Sequence, residues 1–465
     1  MDDFRYLIPL FSVIYIFTAF SIVFLNYKKK KIIEILNPVV FYSILWTVPF
    51  AIIPLLIYFE IFDISDILTK SNIKYTHILL SQTMAFISLI FLLLGFSYGN
   101  KIRFFKRKLK ILEDGWSRSG VLITLLIYFV LIIILTKYQY ETGGLFHGVE
   151  NLKEEQSEGG VYGYIATLFG IFKISFFFTG FLPLLSLLAY NRFKNKIFIV
   201  MSVFSSILLI GIGLLASQKE VIASVILVII WYFYYKAKSV TFKKELLIFV
   251  FMILFFFTFP IFNLYREYLK TTLEKPDVFK VLSFIEENYD IERIKDNLNY
   301  LFLRFDHLNT NLFIVDSDEP PKFGYTYFLG LKAFIAGLPK MPKDESMGVS
   351  FNNTFAREYG IISEFNYEAY ITLPNFVEVY MNFGFFAIPL FMFLYGILYR
   401  KIYNLFEANN LNYVLLGYML WYLFVFQGTA IAFPSIMFLL GRLLIPTLII
   451  LFLLNYKYIL KSIVR

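Results

Sequence analysis

At 465 residues, with 58% hydrophobic, 20% aromatic and only 17% charged side chains, the chain lacks the make-up of a soluble protein, in which about 45–50% of residues are apolar and about 25% charged. Cysteine is absent and there are three histidines, which excludes disulfide scaffolds, thiolate metal sites and cysteine nucleophiles and makes a histidine-rich metal centre improbable. The net charge of +9 does not by itself imply nucleic acid, because membrane proteins carry their lysine and arginine in cytoplasmic loops.

The apolar residues gather in blocks of about 20, the length that crosses a hydrocarbon core roughly 30 Å thick. In chain order, membrane helices are expected at Leu7–Leu25, Val39–Phe59, Ile78–Tyr98, Val121–Leu135, Ile165–Tyr190, Ile197–Ala216, Val221–Tyr235 and Leu246–Leu264. After a long interruption come Phe376–Tyr399, Tyr413–Phe426 and Ile436–Leu454. The expected architecture is an all-α, polytopic membrane bundle of about eleven spans. Its parts are the N-terminal spans (1–264), a large hydrophilic region (265–374) and the C-terminal spans (375–465).

The charges in the loops test that order. One alternate set of short loops, including Lys28–Lys31, Lys101–Arg118 and the tail Lys457–Arg465, holds 23 basic residues, whereas the opposite set and the N-terminus hold six. The N-terminus is therefore expected outside and the C-terminus inside. Because its basic cluster follows the first apolar stretch, and Asp2 and Asp3 precede it, that stretch is expected to remain as an anchor rather than be cleaved.

Residues 265–374, with 12 basic and 17 acidic residues, fall on the outer side in this order. Leu298, Leu301, Phe302, Phe305, Leu308, Leu312 and Phe313 recur at helical spacing. The apolar run Tyr325–Leu338 is too short to span and reads as an interfacial or re-entrant helix.

Ionisable residues at membrane depth or at its rim are the candidates for chemistry. Lys173, Arg442, Arg266 and the Lys219-Glu220 hairpin stand in or beside apolar spans. For Lys173 the alternative is snorkelling, for Arg442 an internal structural pair, and for Lys219 a solvated turn. In the large region Arg304 lies on the amphipathic stretch and Arg357 further on, and prolines 339 and 342 stiffen the backbone around Lys340 and Lys343. Glu378, in Pro374-Asn-Phe-Val-Glu-Val-Tyr-Met-Asn-Phe-Gly384, is a carboxylate entering an apolar segment, with Tyr380 and Asn382 following. Such a group needs a partner or a task, the plain alternative being an interfacial carboxylate favoured by the helix dipole. No GxxxxGK[ST], GxSxG or HExxH is present, so nucleotide hydrolysis and metalloprotease chemistry have no support.

The span order, the large outer region before the last three spans, the short basic hairpin earlier, and the stretch from Gly324-Tyr-Thr-Tyr through Pro339-Lys-Met-Pro to Glu378-Val-Tyr-Met-Asn-Phe-Gly384 resemble the Wzy-type O-antigen and capsule repeat-unit polymerases. These share a GT-C-like architecture with the O-antigen ligases. The resemblance covers most of the chain in topology but only about Phe302–Gly396 in residues. It implies an inverting, metal-independent glycosyl transfer, without cofactor, between polyprenyl-pyrophosphate-linked oligosaccharides on the outer face of the bacterial cytoplasmic membrane. Membrane lipids and a chain-length regulator are then the expected partners, and nucleic acid is not. By the same resemblance, Lys219 and Lys340 stand where the family has arginines, Arg304 matches an arginine upstream of the Gly-x-Thr/Ser-Tyr segment, and Glu378 matches the carboxylate of Glu-x-Tyr-x-Asn-Phe-Gly. Lysine meets phosphate only as a point charge, where arginine binds it bidentately.

Chemically, a glycosyl pyrophosphate already has a good leaving group, so cations rather than an acid are what its departure needs. Glu378 is the expected base for the acceptor hydroxyl, Lys219, Arg266, Arg304 and Arg357 the expected clamp, and outer-face tyrosines such as Tyr380 the expected sugar platforms. A ligase, or from another class a polysaccharide flippase or transporter, is the competing expectation.

Overall fold

A computed structural model describes residues 4–30, 34–60, 74–102, 115–141, 180–215, 219–236, 261, 264–265, 267–268, 278–289, 307–317, 319–337, 351–359, 372–408, 410–429 and 431–463. Every regular element among them is helical. In chain order they are α1 Leu7–Lys30, α2 Pro38–Thr47, α3 Ile53–Tyr58, α4 Tyr75–Gly99, α5 Arg118–Glu141, α6 Phe181–Phe193, α7 Ile197–Leu215, α8 Lys219–Lys236 and α9 Val278–Asn288. Then follow α10 His307–Asp316, α11 Tyr325–Gly337, α12 Phe351–Glu358, α13 Asn375–Phe383, α14 Ile388–Phe406, α15 Leu411–Leu420 and α16 Phe433–Ile463. A π-helical turn, Val48–Ile52, joins α2 to α3, and another, Trp421–Phe426, extends α15.

Among the described residues, six helical segments are long and apolar enough to cross a membrane: Leu7–Lys29, Pro38–Tyr58, Tyr75–Gly99, Phe385–Phe406, Leu411–Thr429 and Phe433–Tyr458. The protein is thus a helical membrane protein. Helices also form within the expected spans at Val121–Leu135, Ile197–Ala216 and Val221–Tyr235. Leu246–Leu264 and the first half of Ile165–Tyr190 lie outside the described residues, apart from residues 261 and 264.

The chain divides into two compact units. One holds residues 1–112 and 302–445, the other 113–301 and 446–465, and the boundary within α16 falls at Pro446, a residue that removes a helical hydrogen bond. In the second unit α6 packs on α5, α7 and α8. Gly120 of α5 lies so close to α16 that a Cβ there would stand 2.3 Å from the Leu453 carbonyl oxygen.

The first unit is built around the pair α4 and α14. Gly95 and Gly99 of α4 face α14, and Gly396 of α14 faces back; a Cβ on Gly95 would lie 2.0 Å from the Phe393 carbonyl oxygen, and one on Gly396 2.3 Å from that of Leu92. Gly95-Phe-Ser-Tyr-Gly99 is a small-xxx-small surface, which lets two backbones approach where lipid supplies no hydrophobic drive between helices. α1, α2 and α10 pack around α4. Charged residues tie down both ends of this unit. At one, Lys401 donates to the Gly99 carbonyl at 2.8 Å and to that of Ile102, Arg400 donates to Asn100 at 3.2 Å, and the Tyr403 hydroxyl donates to Glu34 at 3.0 Å. Basic residues expected only to orient the chain also satisfy the last carbonyls of α4. At the opposite end Arg5 donates to the Tyr58 carbonyl and to Glu60, and stands over the rings of Tyr58 and Tyr75.

The expected span Phe376–Tyr399 is two elements instead. Gly384, at φ 77° and ψ −178°, ends α13, and the spanning helix begins with the 3₁₀ turn Phe385–Ala387. Apolar continuity alone does not register this break, because its cause is one backbone conformation open essentially to glycine. A Cβ at Gly384 meets nothing within 4 Å, so Gly384→Ala isolates the conformational cost. It is expected to destabilise by about 1–3 kcal/mol, read as a lowered thermal unfolding midpoint in detergent.

Candidate functional site

α13 is amphipathic by position but buried on nearly all sides: Asn375, Phe376, Val377, Glu378, Val379, Met381 and Asn382 are all inside. Its first turn ends within the bundle. The Phe376 ring meets Trp46 at 4.9 Å and Phe50 at 5.2 Å. The Asn375 amide donates to the hydroxyls of Tyr399 and, at 3.4 Å, Tyr42; the Tyr42 hydroxyl also lies 3.1 Å from the Val425 carbonyl in the second π turn, to which it donates. α13 therefore begins inside the bundle, and its irregular approach is tolerated because it is enclosed by protein.

The carboxyl of Glu378, 1% exposed, lies at the centre of a polar knot one turn further on. The Thr326 hydroxyl donates to Oε1 at 2.6 Å, and the Phe433 N–H donates to Oε2 at 2.8 Å. Asn382 orders the donors. Its Nδ2 donates to the Thr326 hydroxyl at 2.8 Å and to the Glu378 carbonyl at 2.8 Å, while its Oδ1 accepts the Thr326 N–H at 3.3 Å. Since Thr326 receives the amide proton, its own hydroxyl proton points at the carboxylate. Phe433 is the first residue of α16, so Glu378 also caps that helix, where a negative charge is favoured by the dipole.

Burial still dominates the protonation of Glu378. It pushes the carboxyl up to about 7, against the smaller opposing effects of the Thr326 and Phe433 hydrogen bonds. A carboxyl that exchanges its proton near neutrality at the end of a bundle has the property of a general base.

The far end of α13 is capped in turn by the loop before α11. The Lys322 N–H donates to the Met381 carbonyl at 3.0 Å and the Phe323 N–H to that of Asn382 at 2.7 Å. The backbone must turn sharply to do so, and Phe323 and Gly324 both have positive φ, 48° and 82°. The Lys322 ammonium pairs with Glu358 and stands 5.3 Å over the Tyr359 ring, which ties α12 to the same end.

Four sequence candidates are thereby gathered in one region: Glu378, Asn382, Tyr380 and, on α12, the half-buried Arg357. Asn382 is fully buried and its amide is occupied by Thr326 and the Glu378 carbonyl, so it positions rather than binds. Tyr380 is half-buried, and burial raises its hydroxyl. Arg442 sits in the third turn of α16 with its guanidinium 4.3 Å over the Phe438 ring. Lys219 begins α8 in the second unit. Lys173, Arg266, Arg304, Lys340 and Lys343 lie outside the described residues.

Thr326, Asn375, Tyr42, Tyr399 and Lys322 are the members that sequence reasoning missed. Lys322 carried a usable signal, since Pro320-Pro321-Lys322 has the same proline-stiffened form as the Lys340 segment. The others are single polar residues in apolar stretches, and their convergence is tertiary. No family model, curated protein or solved structure matches this chain.

Proposed function

We propose that this protein is a membrane glycosyltransferase that polymerises polyprenyl-pyrophosphate-linked oligosaccharide repeat units, with the Glu378 end of the first unit facing outward from the bacterial cytoplasmic membrane. The observation that carries the proposal is the Glu378 carboxyl, buried, oriented through both oxygens and brought to about 7 by its surroundings. The acceptor hydroxyl displaces the Thr326 hydroxyl from Oε1 and gives its proton to Glu378 as its oxygen attacks the anomeric carbon. The bond from that carbon to the pyrophosphate breaks, inverting the centre, and the lipid pyrophosphate leaves with the bonding pair. Arg357 with Lys322 at this end, and Arg304, Lys340 and Lys343 from the sequence, are the proposed cations for the leaving diphosphate. No resident metal or cofactor takes part. A polysaccharide ligase would use the same groups on a different acceptor.

One observation favours a second reading. The interrupted segments α2–α3, α13–α14 and α15–α16 converge on Asn375 and Glu378, and broken helices around an interior polar site are a feature of transporters. Purified protein given a lipid-linked repeat unit separates the three. A polymer ladder supports the polymerase, transfer to a non-prenyl acceptor replaces it with the ligase, and intact substrate under conditions that permit vesicle transport replaces it with the transporter. If the first result holds, Arg357→Ala is expected to lower polymer formation by about tenfold or more, the weight of one charge-assisted contact of roughly 1.5–3 kcal/mol.

A further inference from the structure

The two faces of α11 have opposite surroundings. Its inner face carries Thr326 and Ala333, both fully buried, and Gly330, where a Cβ would lie 2.7 Å from the Phe433 ring. The Tyr327 ring stacks on Phe383 and Phe391 and leans on Phe433 at 5.1 Å. The outer face presents Tyr325, Phe328, Leu331 and Ile335, each more than half exposed, at the spacing of one helical stripe. Lys332, the charged residue of that face, stands with its ammonium 5.4 Å over the Phe328 ring, within cation–π range.

The stripe does not end with the helix. Phe323, held out by its positive φ, is 83% exposed, and Phe386 is 93% exposed. Phe386 heads a second row, Leu390, Leu394 and Leu398, which runs down the spanning segment Phe385–Phe406 at four-residue intervals and is likewise exposed. The level of α11 is set independently by what its inner face touches. Phe391 belongs to the first turns of that spanning segment, and Phe433 and Met437 to the first turns of the span Phe433–Tyr458. An apolar face continuous with the outer surface of one span, and level with the starts of two, has hydrocarbon as its natural neighbour.

We propose that α11, with Phe323 and Phe386, is an interfacial membrane helix whose apolar stripe is immersed in the acyl region of the leaflet at the Glu378 end, so that the bilayer itself is its partner. Thr326 and the stripe lie on opposite faces of one helix, so the lipid contact fixes the element that orients Glu378. The proposal needs only that the protein lies in a membrane and is independent of the reaction.

The absence of cysteine allows a direct test. Single cysteines at positions 328, 331, 335 and 386, and a control at Glu319 in the exposed segment before Pro320, would be spin-labelled in full-length protein reconstituted into phosphatidylcholine–phosphatidylglycerol vesicles. Collision rates with oxygen, which partitions into lipid, and with a water-soluble nickel chelate are then compared. The expected oxygen-to-nickel ratio is above unity at all four stripe positions and below unity at 319. A ratio below unity along the stripe would show a water-facing helix. Exclusion of both reagents would show a protein cover such as a second copy. Either result overturns the proposal. All four labels replace exposed side chains, so folding is preserved, and an unchanged unfolding midpoint confirms it.

Discussion

Glu378→Ala is expected to reduce polymer formation by about 10²–10⁴-fold, the usual contribution of a positioned proton acceptor, leaving single-repeat lipid-linked product. It is also expected to lower stability, because the Thr326 hydroxyl and the Phe433 N–H lose their acceptors in a buried site, at about 1–3 kcal/mol for each unsatisfied group. Glu378→Gln separates the two effects. It keeps the volume and one acceptor, so its unfolding midpoint falls less, while its polymer formation falls as far. Polymer of normal length and rate from the glutamine variant would remove Glu378 from the reaction.

The same carboxyl makes stability depend on pH with a defined sign. Its proton is held more tightly in the folded protein, at about 7, than at the ordinary 4.5. Between those values the folded state binds more protons than the unfolded state, so stability falls as pH rises from about 4.5 to about 7 and levels off beyond. At about 1.4 kcal/mol per pKa unit the full change is on the order of 3 kcal/mol. Thermal unfolding of the wild type across this window is expected to show the decline, and Glu378→Gln to flatten it. A midpoint that rises through the window would mean that the hydrogen bonds to the carboxylate outweigh its burial.

Gly95→Ala carries the largest expected effect on the fold. One added Cβ would lie 2.0 Å from the Phe393 carbonyl oxygen and 2.8 Å from its carbon, and both belong to the backbone of a spanning helix that has no rotamer to yield. α4 and α14 would have to separate, at about 3 kcal/mol or more, and Gly396→Ala is expected to act alike from the other side. Gly211→Ala in α7 supplies the contrast, since nothing lies within 4 Å of its added Cβ. There the better helix propensity is expected to leave stability unchanged or raise it by up to about 1 kcal/mol. Equal unfolding midpoints for Gly95→Ala and Gly211→Ala would contradict the close approach of α4 and α14.

Much of the architecture was legible in the residues because a bilayer imposes a simple requirement, about 20 apolar residues wherever the chain crosses. The spanning segments at Leu7–Lys29, Pro38–Tyr58, Tyr75–Gly99, Leu411–Thr429 and Phe433–Tyr458 follow the apolar blocks to within a few residues. α11, 13 residues long, could be anticipated as a helix too short to span, because the apolar run Tyr325–Leu338 falls short of a bilayer's thickness. Glu378 stood out because a carboxylate in an apolar segment must be accounted for. The close approach of Gly95 and Gly99 to α14 emerged only with the fold, because nothing in the sequence says which helix α4 packs against.

What the tertiary structure alone decided is the partnership of distant residues. Apolar run length is a one-dimensional quantity, so it merged α13 with α14 and missed the reversal at Gly384. Hydrogen bonds such as Thr326 to Glu378, or Asn375 to Tyr42, join positions 52 and 333 residues apart, and no spacing rule reaches across that separation. The sequence by itself determined a basic, cysteine-free membrane protein with a conspicuous carboxylate. Only the fold decided that this carboxylate is buried, is held by Thr326 and Phe433, and caps a spanning helix, because its proton affinity is set by neighbours that the chain brings together only in three dimensions.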